Sequence, residues 1–349
     1  MMEKLIDDMK RKGKFLSLIS MIESENIEIA NKSYLGSSMN IASQNGVTCH
    51  AFVILQILDT AVDAFEVSDH RDWAVAKMKE MAEDDCIKVR ASSAELGAAG
   101  ILKEVFDGLR PMQEKRKKKT PDFEIHRGVY AEVYCPQESQ PEKQKVKREI
   151  EKQQGMVRIA FSHPLTGSNG MSLRYPANKM IDKVVNQKRD NEQTVEGARN
   201  LLWIDLLQSY RIPATKLRPT VSEKVDGNIY IKSFGIWNAF YGKEDDSILP
   251  REPMVLRYLT GASVYFQRRN GIFRNNRNWS GALLLTKDGL VFFENPWAKT
   301  KVGENTMRRI TKLFMFRPEF SFFDFPGNMV GLENQIESEL ERMKWLYQC

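Results

Sequence analysis

The residues whose types and spacing best suit chemistry are two carboxylates near the middle of the chain, Asp122 and Glu132. Residues 129–135 are rich in β-branched and aromatic residues, which predicts a strand, and Glu132 is the single charge in that run. Burying an unpaired charge is costly, so a carboxylate there needs a partner. The turn residues at 126–128 join this run to a short alternating run at 122–125. The sequence therefore predicts a hairpin on which Asp122 lies alongside Glu132.

Two converging carboxylates suit a divalent metal ion. Mg²⁺ prefers oxygen ligands and keeps waters for a substrate phosphate, and such an ion can activate water for attack on phosphorus. Alternation along the strand assigns Glu132 to one face with Tyr130 and Tyr134. Two other interpretations remain open: a structural salt bridge from Glu132 across the sheet, and a capping role for Asp122 in the turn after Pro121.

The surrounding pattern predicts helices before the hairpin and a mixture of strands and helices after it. Apolar periodicity predicts helices at 41–65, 72–83, 92–109, 177–189, 307–316 and 332–347. It predicts strands at 156–161 and 201–207 and a second hairpin at 282–293. Small residues at 97–100 indicate close packing of the third helix against a sheet.

These elements predict an α/β protein with a mixed central sheet flanked by helices. Residues 1–90 form an N-terminal helical region in this interpretation. Residues 91–349 form one α/β domain that includes the C-terminal hairpin and helices.

At residues 92–207 the sequence resembles the PD-(D/E)xK nuclease superfamily, which has the restriction-endonuclease-like fold. The resemblance is carried by Pro121-Asp122, by Glu132 in the next strand, and by the order helix, hairpin, strand, helix, strand. It implies that Asp122 and Glu132 bind Mg²⁺ or Mn²⁺ and that the chain hydrolyses phosphodiester bonds of DNA. It also implies that Glu95, on the preceding helix, is an additional metal ligand. Glu95 is equally an early-helix acid that the helix dipole favours.

The lysine of the family motif is missing, because Tyr134 stands at its position. Some members of the family carry this lysine on the following helix, where Lys188 extends the apolar stripe of Ile181 and Val184. Gln193, just beyond that helix, is predicted to orient a phosphate or a water. If Lys188 instead lies on the surface, the resemblance implies an inactive site, so the alternative function is a nucleic-acid-binding or scaffold protein on the same fold.

Residues 267–279 are predicted to form a basic loop that contacts nucleic acid. Arginine binds phosphates and aromatic rings stack on bases, and the segment contains no acid. The predicted contacts are Arg268, Arg269, Arg274, Arg277, Phe273 and Trp279.

Composition sets limits on these interpretations. The formal net charge of +6 permits nucleic-acid binding without requiring it. The four cysteines are scattered without a Cys-x-x-Cys pair, which is typical of reduced thiols in a cytoplasmic protein. No run of apolar residues predicts a membrane span. The predicted partner is DNA, and the resemblance adds a second copy of the chain or another protein. A third class, a protein-interaction module that uses the glutamate-rich C-terminal helix, stays open.

Overall fold

The computed structural model describes the following residues: 2–83, 89–113, 120–136, 193–210, 214–217, 221–225, 228–232, 235–243, 247–248, 254–255, 265–266, 270–324 and 330–348. The helices predicted before the hairpin are confirmed, with changed bounds. They are α1 (Met2–Arg11), α2 (Leu16–Ser24), α3 (Tyr34–Asn45), α4 (His50–Phe65), α5 (Arg71–Glu83) and α6 (Val89–Lys103). The single helix expected at 41–65 is divided near Gly46, whose positive φ of 69° ends α3.

The main sheet of the described residues has six strands in the order β1-β2-β3-β4-β10-β11. They are β1 (Arg110–Pro111), β2 (Phe123–His126), β3 (Val129–Tyr134), β4 (Arg199–Asp205), β10 (Trp279–Thr286) and β11 (Gly289–Glu294). β3, β4 and β10 are parallel, and the remaining pairs are antiparallel. A mixed sheet with helices around it confirms the predicted α/β class. The parallel strands also bring their carboxyl ends to one edge and their amino ends to the other.

Alternation along the strands divides the apolar residues between two cores. On one face Val129, Trp203, Leu283 and Phe292 pack with residues of α1–α6. On the opposite face Leu202, Leu284 and Phe293 pack with residues of later elements. The predicted hairpin at 282–293 is confirmed, and it turns at Lys287-Asp288 between β10 and β11.

The later helices are short except for the last. They are α7 (Leu207–Tyr210), α8 (Gly235–Tyr241), α9 (Ile272–Asn275), α10 (Glu304–Ile310) and α11 (Leu332–Gln348). Small sheets contain β5 (Val221–Val225), β6 (Asn228–Lys232) and β8 (Met254–Val255), and β7 (Ser247–Ile248) with β9 (Tyr265–Phe266).

The small residues of α6 correct one expectation. A Cβ built on Gly100 would lie 2.3 Å from the Cβ of Ala61, and one on Gly97 would lie 3.0 Å from Ile57. Their close contact is therefore with helix α4, although α6 also contacts β2 and β3. The predicted strand at 156–161 and helix at 177–189 lie outside the described residues. Within the described part of the chain, no helix is long and apolar enough to span a membrane.

Candidate functional site

The structure places Asp122, directly before β2, opposite Glu132 of β3. Phe123 pairs with Ala131 in the antiparallel register of β2 and β3, so the preceding Asp122 comes opposite Glu132. The backbone N–H of Val133 donates a hydrogen bond of 2.6 Å to Asp122 Oδ2. This geometry matches the hairpin that the sequence predicts.

Both carboxylates are held by regular structure. The backbone N–H of Met112 donates to the carbonyl oxygen of Asp122 at 2.8 Å, which fixes the start of β2 beside β1. Glu132 is buried, with 2% of its surface exposed, and it pairs with Leu202 of β4. Interior strands are rigid supports, so the positions of these two side chains are set by the sheet.

Lys77 of α5 adds a positive charge that the sequence did not reveal. Its ammonium group lies 2.8 Å from Glu95 Oε2 and 3.8 Å from Glu80 Oε2. Burial by itself lowers the pKa of Lys77, but the carboxylates of Glu95, Glu80 and Asp122 outweigh it and raise that pKa above its ordinary value. Lys77 therefore stays charged, paired with Glu95 and Glu80. No spacing in the sequence links Lys77 to Glu95, because their ion pair depends on the packing of α5 against α6.

The ion pair with Lys77 also changes the interpretation of Glu95. Among the described residues, no group of three or more Asp, Glu, His or Cys side chains is arranged to hold a metal ion. Glu95 is held in an ion pair with Lys77, which is a structural role for this acid, and its predicted role as a metal ligand stays a prediction. Asp122 and Glu132 remain a two-carboxylate oxygen set. Mg²⁺ is commonly held by one or two carboxylates and several waters, so the metal role predicted for this pair stays a prediction.

The other predicted members of the active site are less well defined. Tyr134, at the position of the missing lysine, is partly buried and packs against the second core. Lys188 lies outside the described residues. Gln193 is half-buried and precedes the turn that leads into β4. The roles predicted for Lys188 and Gln193 stay predictions.

Asp205 ends β4 at the carboxyl edge of the sheet. Its Oδ1 accepts hydrogen bonds from the backbone N–H groups of Leu207 (2.9 Å) and Gln208 (3.1 Å), and its Oδ2 accepts from Gln208 Nε2 (2.8 Å). Burial raises the pKa of Asp205 from 3.8 to about 6, although these bonds act to lower it. Asp205 thus starts the turn into α7, which is the structural role that its position at a strand end suggests.

The segment predicted to contact nucleic acid is only partly a loop. Residues 272–275 form α9, and Trp279 begins β10. Phe273 (0% exposed) and Trp279 (1%) are core residues, so neither ring presents a face to a base in this fold. The two rings therefore pack in the hydrophobic core, and they do not stack on bases in this fold.

The arginines of this segment have different environments. Arg274 donates to Tyr241 O and to Glu337 Oε1, both at 2.6 Å, and its guanidinium lies 4.3 Å from the centre of the Trp297 ring. These contacts hold Arg274 to α11 and correct the expectation of an open loop arginine. Arg277 is exposed in the turn before β10. Arg268 and Arg269 lie outside the described residues.

No protein-family model, curated protein or solved structure matches the chain. The site is therefore interpreted from its own geometry.

Proposed function

We propose that the chain is a metal-dependent nuclease that hydrolyses phosphodiester bonds of DNA at Asp122 and Glu132. The observation that carries the proposal is the position of the two carboxylates. They come from opposed positions of adjacent strands, and one of them is buried in the interior of the sheet. Burying a carboxylate has a cost that a functional site can justify.

The strand arrangement supports the resemblance to the PD-(D/E)xK superfamily. α6 precedes the hairpin, Asp122 precedes β2, Glu132 lies in β3, and the next described strand of the main sheet, β4, runs parallel to β3. The described residues thus contain the helix, the hairpin and a later strand of the order on which the resemblance rests, and the predicted strand at 156–161 and helix at 177–189 lie outside them. The restriction-endonuclease-like core is accordingly part of the proposal.

In this proposal Asp122 and Glu132 hold Mg²⁺ or Mn²⁺. The ion, when bound, supplies charge neutralisation at the phosphate and an activated water. Lys77, which is ion-paired with Glu95 and interacts electrostatically with Asp122, supplies the positive charge that the resemblance assigned to Lys188. A cation held in place stabilises the negative charge that develops during hydrolysis.

The proposal is tested by comparing Glu132→Gln with Glu124→Gln on linear, circular and single-stranded DNA, in Mg²⁺, Mn²⁺ or EDTA. Glu124 is a matched control because it lies on β2, is nearly buried, and pairs with Arg110. Metal-dependent cutting by the wild type and by Glu124→Gln is expected, with at least about a 100-fold loss in Glu132→Gln. Circular dichroism checks that both variants fold. Equal cutting by the two variants would falsify the proposal.

The second candidate is a nucleic-acid-binding protein without catalysis. Tyr134 favours it, because this tyrosine packs into the core where the family motif has its lysine. Such a protein retains DNA in EDTA and shows no cutting with either metal, so the same assay, extended by a gel shift, separates the two functions.

A further inference from the structure

A pocket of about 290 Å³ lies beside the end of β2, away from the carboxylate pair. Four of its lining residues are basic or imidazole side chains, and none is acidic. The pocket is lined by His126, Asn305, Thr306, Arg308, Arg309 and Lys312. Such a lining suits an anion with several oxygen acceptors.

Arg309 is fixed at the wall of the pocket. Its Nη1 donates to Val105 O at 2.9 Å, and its guanidinium lies 5.7 Å from the centre of the Phe106 ring. A guanidinium has five N–H donors, so this anchoring leaves donors for a ligand. A held guanidinium loses less entropy on binding than a mobile one.

Arg308 and Lys312 lie four residues apart on α10 and the turn that follows it, so their charges are neighbours. The Arg308 guanidinium is 2.6 Å from Glu304, but both side chains are mostly exposed, at 72% and 64%. An exposed pair of this kind contributes little stability. A phosphate group can therefore replace Glu304 as the partner of Arg308 and also reduce the repulsion between the two cations.

The positive charge continues along the edge of the sheet where β3, β4 and β10 begin. Arg199 pairs with Val129 there, and its Nε donates to Lys301 O at 3.1 Å. The backbone N–H of Lys299 donates to Arg277 O at 2.8 Å. A Cβ built on Gly303 would lie 3.4 Å from Arg199 Nε, so the start of α10 adjoins Arg199.

We define the basic edge as residues 126–128, 195–200, 276–279 and 299–312. These segments contain eight lysines or arginines and two glutamates. The excess of six equals the formal net charge of the whole chain, so positive and negative charges balance elsewhere in the sequence. The eight cations are Arg127, Arg199, Arg277, Lys299, Lys301, Arg308, Arg309 and Lys312.

We propose that the basic edge binds the phosphate backbone of DNA and that the pocket holds one of its phosphate groups. The choice of DNA rests on the proposed function. The charges themselves point to a phosphodiester chain, because they extend from the pocket along several segments and a small anion needs one cluster. Of the arginines that the sequence assigned to nucleic acid, Arg277 belongs to this edge.

The test measures binding of a fluorescent DNA duplex by anisotropy, in EDTA, between about 50 and 200 mM salt. The Arg308→Glu/Lys312→Glu variant is expected to bind the duplex at least about tenfold more weakly at low salt. Its plot of log affinity against log salt concentration should be shallower, with the magnitude of the slope smaller by about 2. The control is Lys79→Glu/Lys287→Glu, because both lysines are exposed and Lys287 lies at the opposite edge of the sheet. This control receives the same change of charge and is expected to lose about twofold at most.

A milder variant, Arg308→Gln/Lys312→Gln, removes the two charges without reversing them and should show an intermediate loss of DNA affinity. The thermal unfolding temperature of every variant should equal that of the wild type, which excludes misfolding as the cause. Equal losses in the pocket variant and the control overturn the proposal, since they reflect net charge alone. Binding of inorganic pyrophosphate without binding of the duplex also overturns it, since the pocket is then a site for free phosphate. The assay contains no metal ion, so its result is independent of whether Glu132→Gln abolishes cleavage.

Discussion

The two ends of strand β3 differ in every property that bears on function. Near its carboxyl end Glu132 is buried and lies opposite Asp122, whereas at its amino end Val129 pairs with Arg199 of the basic edge. The two regions are separated by three residues of one strand, about 10 Å at the rise of a β-strand.

The contrast follows from how each kind of charge is supported. The carboxylates are placed by strand pairing, which tolerates few charges and fixes them precisely. Most of the cations extend from turns and from a short helix, where long side chains stay hydrated, and Arg199 is the first residue of β4. A phosphodiester chain needs both: many exposed cations for affinity and a small rigid set of oxygen ligands where a bond is cut.

The largest effect that would sharpen this comparison is expected from Lys77→Ala. In the proposed mechanism the Lys77 ammonium is the cation that acts on the carboxylate site, so its loss should lower cleavage about 100- to 1,000-fold. Affinity for DNA in EDTA should stay within about twofold, because Lys77 is not part of the basic edge. Single-turnover cleavage and anisotropy measure the two quantities.

Lys79→Ala is the control for that prediction, since Lys79 is an exposed lysine on the same helix. Lys77→Arg should retain part of the activity because it keeps the charge. If Lys77→Ala cuts DNA as fast as Lys79→Ala, the cation of the site lies elsewhere.

A second prediction concerns stability at the carboxyl edge, through Asp205. Burial raises its pKa from 3.8 to about 6, so the folded state binds this proton more tightly than the unfolded state. The contribution of Asp205 to stability is therefore most favourable below pH 3.8 and declines as the pH rises to about 6. The difference amounts to about 3 kcal/mol, from 1.36 kcal/mol for each pKa unit.

Asp205→Asn removes this titration. The unfolding free energy of the variant relative to the wild type should rise by about 2 kcal/mol between pH 4 and pH 7, measured by urea denaturation. The loss of the hydrogen bond from Gln208 Nε2 lowers stability equally at each pH. The informative quantity is therefore the change with pH of the difference in unfolding free energy between variant and wild type. A difference that does not change with pH would show that Asp205 is not a buried titrating acid.

The smallest effect is expected at the basic edge, from Glu304→Gln. This change removes one of the two glutamates of the edge and releases Arg308 from its exposed ion pair. DNA affinity in EDTA should increase about twofold to threefold, with thermal stability nearly unchanged. Glu319→Gln, which changes an exposed glutamate outside the edge, serves as the control. A weaker complex with Glu304→Gln would mean that Arg308 needs Glu304 for its orientation.

Local sequence was sufficient for the elements of the hairpin. Periodicity of two along 129–135 correctly separated Val129 and Ala131, which face the helical core, from Tyr134, which faces the second core. Turn residues likewise predicted the hairpin of β10 and β11. These features depend on residues within a few positions of each other, so the pattern contains the information.

Local sequence was insufficient in the segment 267–279, where aromatic residues are buried in the core and an arginine forms a structural ion pair. Phe273 and Trp279 lie among arginines and asparagines, and that composition suggested a loop facing nucleic acid. The fold instead buries both rings and pairs Arg274 with Glu337, which is 63 residues away. Composition indicates which chemistry a segment can perform, but burial decides which chemistry it performs.

The sequence by itself determined the α/β class, the carboxylate hairpin and the excess of positive charge, because each follows from local spacing or from counting. Only the tertiary structure decided that Glu95 pairs with Lys77 and that eight cations from four segments lie near one edge of the sheet. Those arrangements depend on which helices and strands pack together. Packing joins residues far apart in the chain, and no local pattern specifies it.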